Sequence, residues 1–276
     1  MAAICRGLGL LPLAWSLLLV LATISSYIIA ICKHNVEPVL PSVSKTAAFE
    51  PEGSIFNQFL DTIAFVGLIT VFVRFLQVEM ATTIVKESDI GLMYRLRVAS
   101  LTFGIGSMTG VSIAGNFRFP RGEDYEELGF VHFTGSLMLG LCGIAYCFLE
   151  SAVTYQLAKL SKNSWGMFFT RLLITCVLTV SGIIHVILKI WTANHLSLDG
   201  NPLSKSPWLK FNATTEFYPE HVTSNFGEWL TFFLFALFSL TFYKEFQKIS
   251  INFSCFSKNS EHSTDGNYSI INNTNN

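Results

Sequence analysis

Charge is scarce in this sequence. Only 13% of its 276 residues are Asp, Glu, Lys or Arg, about half the share of an ordinary soluble domain. With a mean hydropathy of +0.47, that scarcity argues against a soluble multi-domain enzyme and against a disordered or collagen-like chain. An excess of either sign is also missing. The net charge is −1, so no basic face recruits nucleic acid. The six cysteines form no disulfide framework, because Cys142, Cys147 and Cys176 fall inside long apolar runs. Gly-x-Ser-x-Gly, His-Glu-x-x-His and phosphate-loop strings are absent, as are an arginine-rich voltage sensor, a selectivity-filter sequence and an inverted repeat. The sequence therefore implies no catalytic constellation, no cofactor and no metal ion, and the chain is expected not to be an enzyme.

What charge there is stands between apolar blocks. Gly7 to Cys32, Val98 to Phe117, Leu128 to Leu149 and Leu172 to Leu188 carry none, counting histidine as neutral. Ile55 to Val73 carries Asp61 alone, and Val222 to Tyr243 carries Glu228 alone. A helix crossing the hydrocarbon core needs roughly 20 apolar residues. The expected fold is all-α, a bundle of six transmembrane helices over about 8–32, 55–78, 95–117, 128–157, 167–191 and 222–247. It forms one membrane domain over 1–251, followed by a disordered, Asn- and Ser-rich tail over 252–276. The first block reads as an anchor, since its uncharged run is long for a signal peptide. Residues 33–54, with Pro38, Pro41 and Pro51, read as an extended, turn-rich loop.

Basic residues orient the bundle. With the N-terminus cytosolic, that side holds Arg6, Arg74, Lys86, Arg95, Arg97, Lys159, Lys162, Arg171, Lys244, Lys248 and Lys258. The lumenal side holds Lys33, Lys45, Arg118, Arg121, Lys189, Lys205 and Lys210. The bias places both termini in the cytosol. Arg74, Arg97 and Arg171 read as snorkelling anchors, with Glu150 close enough in the pattern to pair with one of them.

Ionisable groups inside a bilayer need a partner or a use. Asp61 lies about two turns into the second helix from its lumenal end, and Glu228 at a similar depth in the sixth. Glu228 follows His221 by seven residues and so shares its helix face. Asn116 ends the third helix, His132 begins the fourth, His185 lies near the lumenal end of the fifth, and His34 follows the first. These seven residues compose a lumenal polar layer. It has two readings: interhelical hydrogen bonding that fixes the bundle, or a cleft for a lipid headgroup or an acid-sensitive element. Asn212 opens a glycosylation sequon in the long loop before the last span.

Several strings carry a resemblance. The first helix and its loop read Ser26-Tyr27-Ile28, His34, Pro38, Leu40-Pro41, Ser44, Thr46, Pro51-Glu52 and Ile55-Phe56. Further on come Gly115-Asn116-Phe117, His132 with Gly135, Arg171, His221-Val222, Glu228-Trp229 and Leu240-Thr241-Phe242, then Glu245 through Ser250. In this order the strings resemble the damage-regulated autophagy modulator (DRAM) family, within a six-span superfamily shared with GPI-lipid remodelling factors. Lys45, Ala47, Arg118 and Glu150 depart from the family pattern.

The resemblance implies a multi-pass lysosomal or endosomal protein that promotes autophagy, with a link to cell death. It acts as a non-enzymatic regulator or lipid-organising factor; the alternatives are a glycolipid remodelling factor or a small proton-sensitive transporter or channel, and a plasma-membrane or Golgi location. Expected partners are membrane lipids, autophagy or signalling proteins, and cytosolic sorting adaptors. The adaptors would read Tyr268-Ser269-Ile270-Ile271, a tyrosine-x-x-bulky-apolar pattern anchored by Tyr268 and Ile271.

Overall fold

The computed structural model describes residues 2–82, 87–117, 125–160, 165–198, 214 and 216–254. Asn212, Tyr268, Ile271, Arg118 and the acidic run at 123–124 lie outside them. A strand β1 (Ala2–Arg6) precedes α1 (Leu10–Cys32), the short α2 (Val43–Thr46), α3 (Glu52–Thr82), α4 (Glu87–Asn116), α5 (Tyr125–Leu160), α6 (Trp165–Leu198), α7 (Tyr218–Leu240), the short α8 (Tyr243–Phe246) and a strand β2 (Ser250–Ser254). Six of the helices are long and apolar enough to cross a membrane. The protein is a multi-pass helical membrane bundle.

The spans are longer than the apolar runs suggest. α3, α4, α5 and α6 each continue beyond the expected bounds, because a helix need not stop where its hydropathy does. The sixth span is not continuous: α7 ends at Leu240 and the chain turns through Thr241 and Phe242 into α8. Each span packs on its neighbour in sequence, and α7 closes the ring against α1. Glycine permits the closest approach. A Cβ on Gly135 of α5 would lie 2.7 Å from Ala114 N of α4, and one on Gly110 would overlap Leu139 N. The backbones of α4 and α5 therefore touch, the small-residue packing that serves helices in lipid.

Aromatic rings mark both ends of α6. Trp165 packs edge-on against Tyr155, and Trp191 lies against His195 and Phe217. The two tryptophans are 26 residues apart, about 39 Å along a helix, matching a bilayer with its headgroup layers. Between them α6 exposes Leu173, Val180 and Ile187, a lipid-facing surface.

β1 and β2 pair antiparallel, Ala2 opposite Ser254 and Arg6 opposite Ser250. The strand crosses the tail boundary expected at residue 252. Six crossings and this ribbon place both chain ends on the same side.

Candidate functional site

Residues 33–51 are not the extended loop that the prolines suggest. They fold over one end of the bundle and bury Val36, Glu37, Ser42, Val43, Lys45, Thr46, Ala47 and Ala48. The fold-back starts at His34. Its φ of 57° puts it in the left-handed region, with His34 N bonded to Ile31 O and Asn35 N to Ala30 O, both at 2.9 Å. This is the hydrogen-bond pattern of a helix C-terminus usually closed by glycine. His34 is exposed and turns the chain there. Ser42 then caps α2, accepting from Lys45 N.

The bundle holds this cap through side chains of α1, α5 and α7. Tyr27 OH donates to Pro38 O at 2.9 Å, Asn225 Nδ2 to Leu40 O at 3.0 Å, and Trp229 Nε1 to Pro41 O at 2.8 Å. Val43 N donates to Glu228 Oε2 at 3.2 Å, Ser26 and Thr46 hydroxyls meet at 2.9 Å, and His132 Nε2 lies 3.2 Å from Ser44 Oγ. Along a chain of only nine residues, Pro38 to Thr46, nearly every polar group that faces the bundle finds a partner.

Under the cap sits an ion cluster. Lys45 Nζ donates to Glu37 Oε2 at 2.7 Å, and His221 Nε2 lies 3.2 Å from Glu37 Oε1 and 3.1 Å from Asn225 Nδ2. Burial alone would raise the Glu37 pKa. The hydrogen bond at His221 and the Lys45 ammonium outweigh it and hold the carboxyl down at about 2.

The seven expected polar residues thus separate into groups. His221 and Glu228 both serve the cap, through Glu37 and Val43. His132 joins it through Ser44, and its Nδ1 lies 2.8 Å from Phe117 O, linking cap to α4. Asp61 pairs with Asn116, whose Nδ2 donates to Asp61 Oδ1 at 2.8 Å, while Ser112 Oγ donates to the same oxygen at 3.1 Å. His185 joins α6 to α7, its Nδ1 lying 2.9 Å from Ser224 O. His34 is the turn. Glu37, Lys45, Asn225 and Trp229 belong to the site and were missed as site residues. The signal was the apolar content of 36–48, too high for a solvated loop.

At the opposite end the anchor reading fails. Arg74 and Arg171 do not snorkel to the surface; both are buried. Arg74 Nε donates to Glu150 Oε2 and its Nη1 to Glu245 Oε2, each at 2.8 Å. Arg171 donates to Glu245 Oε1 at 2.6 Å, Thr154 Oγ1 at 2.7 Å and Thr241 Oγ1 at 2.9 Å. The Phe242 ring lies between the two guanidinium groups, 4.8 Å from Arg74 Cζ and 3.9 Å from Arg171 Cζ. Two cations and two anions cancel, so this cluster acts as a clasp for the break between α7 and α8 and offers no net charge to a ligand. Arg97 is also buried, bridged to Glu79 at 3.1 Å and stacked over Phe75.

The model of the Frag1/DRAM/Sfk1/Cwh43P N-terminal domain matches residues 7–249. The chain belongs to this family. It is 30% identical over 250 residues to DNA damage-regulated autophagy modulator protein 2 of Rattus norvegicus, covering 89% of this chain and 86% of that one. It is 28% identical over 261 residues to DNA damage-regulated autophagy modulator protein 1 of Homo sapiens, covering 92% and 97%. The modulator of macroautophagy TMEM150B of Danio rerio is 28% identical over 161 residues, 55% of this chain and 63% of that one. No solved structure matches the chain. Within this DRAM-type protein the matched region runs from the ribbon end of α1 to Ile249, and so takes in both the cap and the clasp.

Proposed function

We propose that this protein regulates autophagy from lysosomal or endosomal membranes, without catalysis, by organising lipid or protein around a rigid six-span bundle. The supporting observation is the likeness, over nearly the whole chain, to relatives named as autophagy modulators. The polar layer fits the same reading, since its carboxylates and histidines are engaged in holding the cap and joining helices. In this proposal the capped end faces the lumen and the ribbon end the cytosol. The orientation rests on the bias of Lys and Arg toward the ribbon side. Sorting adaptors then reach Tyr268 and Ile271, and autophagy or signalling proteins meet the cytosolic face.

Deletion of the gene tests this reading, with autophagic flux measured with and without lysosomal inhibition. An internally tagged chain is imaged in parallel, because a C-terminal tag would mask Tyr268. Reduced flux restored by re-expression, and residence on lysosomes, are expected. Unchanged flux contradicts the regulatory role, and exclusive residence at the plasma membrane or Golgi contradicts the location.

A further inference from the structure

Inside the ring lies a chamber walled by α1, α3, α4, α5 and α7, with Trp15, Met108, Leu139, Tyr146, Phe235 and Phe242 in its wall. Counting its open mouth, it holds about 550 Å³ free of atoms, within the roughly 300–1,000 Å³ of ligand pockets. Hydroxyls in the wall are spent on backbone: Thr70 donates to Val66 O at 2.7 Å, Ser107 to Leu139 O at 3.3 Å and Ser239 to Pro12 O at 3.4 Å. The remaining surface is almost wholly apolar.

One donor in this wall is not spent. Trp15 is 8% exposed, and its indole nitrogen is buried without an acceptor. That nitrogen stands against Gly67, also a wall residue, where a Cβ would approach it to 2.8 Å. Trp229, the other buried tryptophan of the core, donates to Pro41 O. A buried N–H with no acceptor is uncommon and costly, so an apolar molecule carrying one acceptor oxygen gains at this place what it gains nowhere else in the wall.

We propose that the chamber is a binding site for one acyl chain of a membrane glycerolipid, with an ester oxygen accepting from Trp15 Nε1. The apolar wall selects a hydrocarbon chain over a sugar, an ion or a headgroup. The orphan donor selects an ester over a plain hydrocarbon. The bilayer itself supplies such molecules around the ring. The site is separate from the cap and does not depend on the autophagy reading.

The test uses the full-length chain in nanodiscs of phosphatidylcholine in which one acyl chain carries a diazirine. After irradiation, adducts are mapped by peptide mass spectrometry, with a diazirine sterol as the second arm. Acyl adducts at Met108, Tyr146 or Phe235 are expected, with the sterol restricted to outward residues such as Leu173. Ser239→Phe, which fills the chamber, should lower chamber labelling about tenfold, and Trp15→Phe several-fold, while labelling at Leu173 stays constant. Acyl adducts confined to outward faces overturn the proposal, as does chamber labelling by the sterol in place of the acyl probe. If Ser239→Phe does not fold, Trp15→Phe decides alone, and chamber labelling equal to that of the unaltered chain overturns the proposal.

Discussion

Lys45 Nζ meets Glu37 Oε2 at 2.7 Å beneath a cap of the protein's own backbone, with side chains 7% and 2% exposed. Removing one partner of a buried pair strands the other, at about 3–5 kcal/mol. Glu37→Gln should therefore destabilise the bundle strongly in detergent, read as a lowered Tm.

The same pair fixes a pH window. The Glu37 carboxyl titrates at about 2 in the folded protein against an ordinary 4.5. A depressed carboxylate contributes stability that is complete above the ordinary value and is lost as pH falls through the folded one. The Tm difference between the unaltered chain and Glu37→Gln should stay constant from pH 7 to about 5 and shrink only below 4.5. A difference that already closes between pH 7 and 5.5 would show that mild acid releases the cap.

Arg171 reaches Glu245, Thr154 and Thr241 with different nitrogens of one planar group. A lysine cannot reproduce that fork. Arg171→Lys should thus lose stability nearly as fully as Arg171→Ala, by about 3 kcal/mol or more, measured by thermal unfolding. Full recovery by lysine would reduce the clasp to simple charge pairing.

Glycines separate into two kinds. Gly135→Val would force a side chain into Ala114 and Ile113 of α4, and should cost about 1–3 kcal/mol or more from overpacking. Gly91→Ala meets nothing within 4 Å in the helical α4, and should be neutral or stabilising by about 0.5–1 kcal/mol. Gel-filtration recovery after heating distinguishes them.

Orientation is open to a chemical test. The ribbon puts Asn252 on the side of Arg6, across the membrane from the loop that holds Asn212. Any glycan should sit on Asn212 and none on Asn252, Asn267 or Asn272. Glycosidase treatment should shift the unaltered chain and leave Asn212→Gln unmoved; a shift that persists in Asn212→Gln reverses the topology.

The six spans were legible because each apolar block is long and the charges fall between blocks. The Asp61–Asn116 contact was legible in part, since both residues count to the same end of adjacent helices. The cap was not. Its anchors Glu228 and Trp229 lie 185 and 188 residues from the groups that they hold, and hydropathy along the chain carries no record of such pairings. The prolines of 33–54 truly mark turns, but turns are compatible with burial once side chains satisfy the backbone. Arg74 and Arg171 were misread for a related reason. An arginine near a span's end suits a surface anchor unless a carboxylate from another helix awaits it, and Glu150 is 76 residues from Arg74.

The central claim is regulation without catalysis from a structural polar layer, and isosteric replacement tests it most directly. Asp61→Asn and Glu228→Gln keep an acceptor for Asn116 and for Val43 N but abolish acid–base capacity. Measured as autophagic flux in deleted cells, re-expression of the doubly substituted chain should restore flux as fully as the unaltered one. A folded, correctly located double variant that restores none would contradict the account and make these carboxylates catalytic.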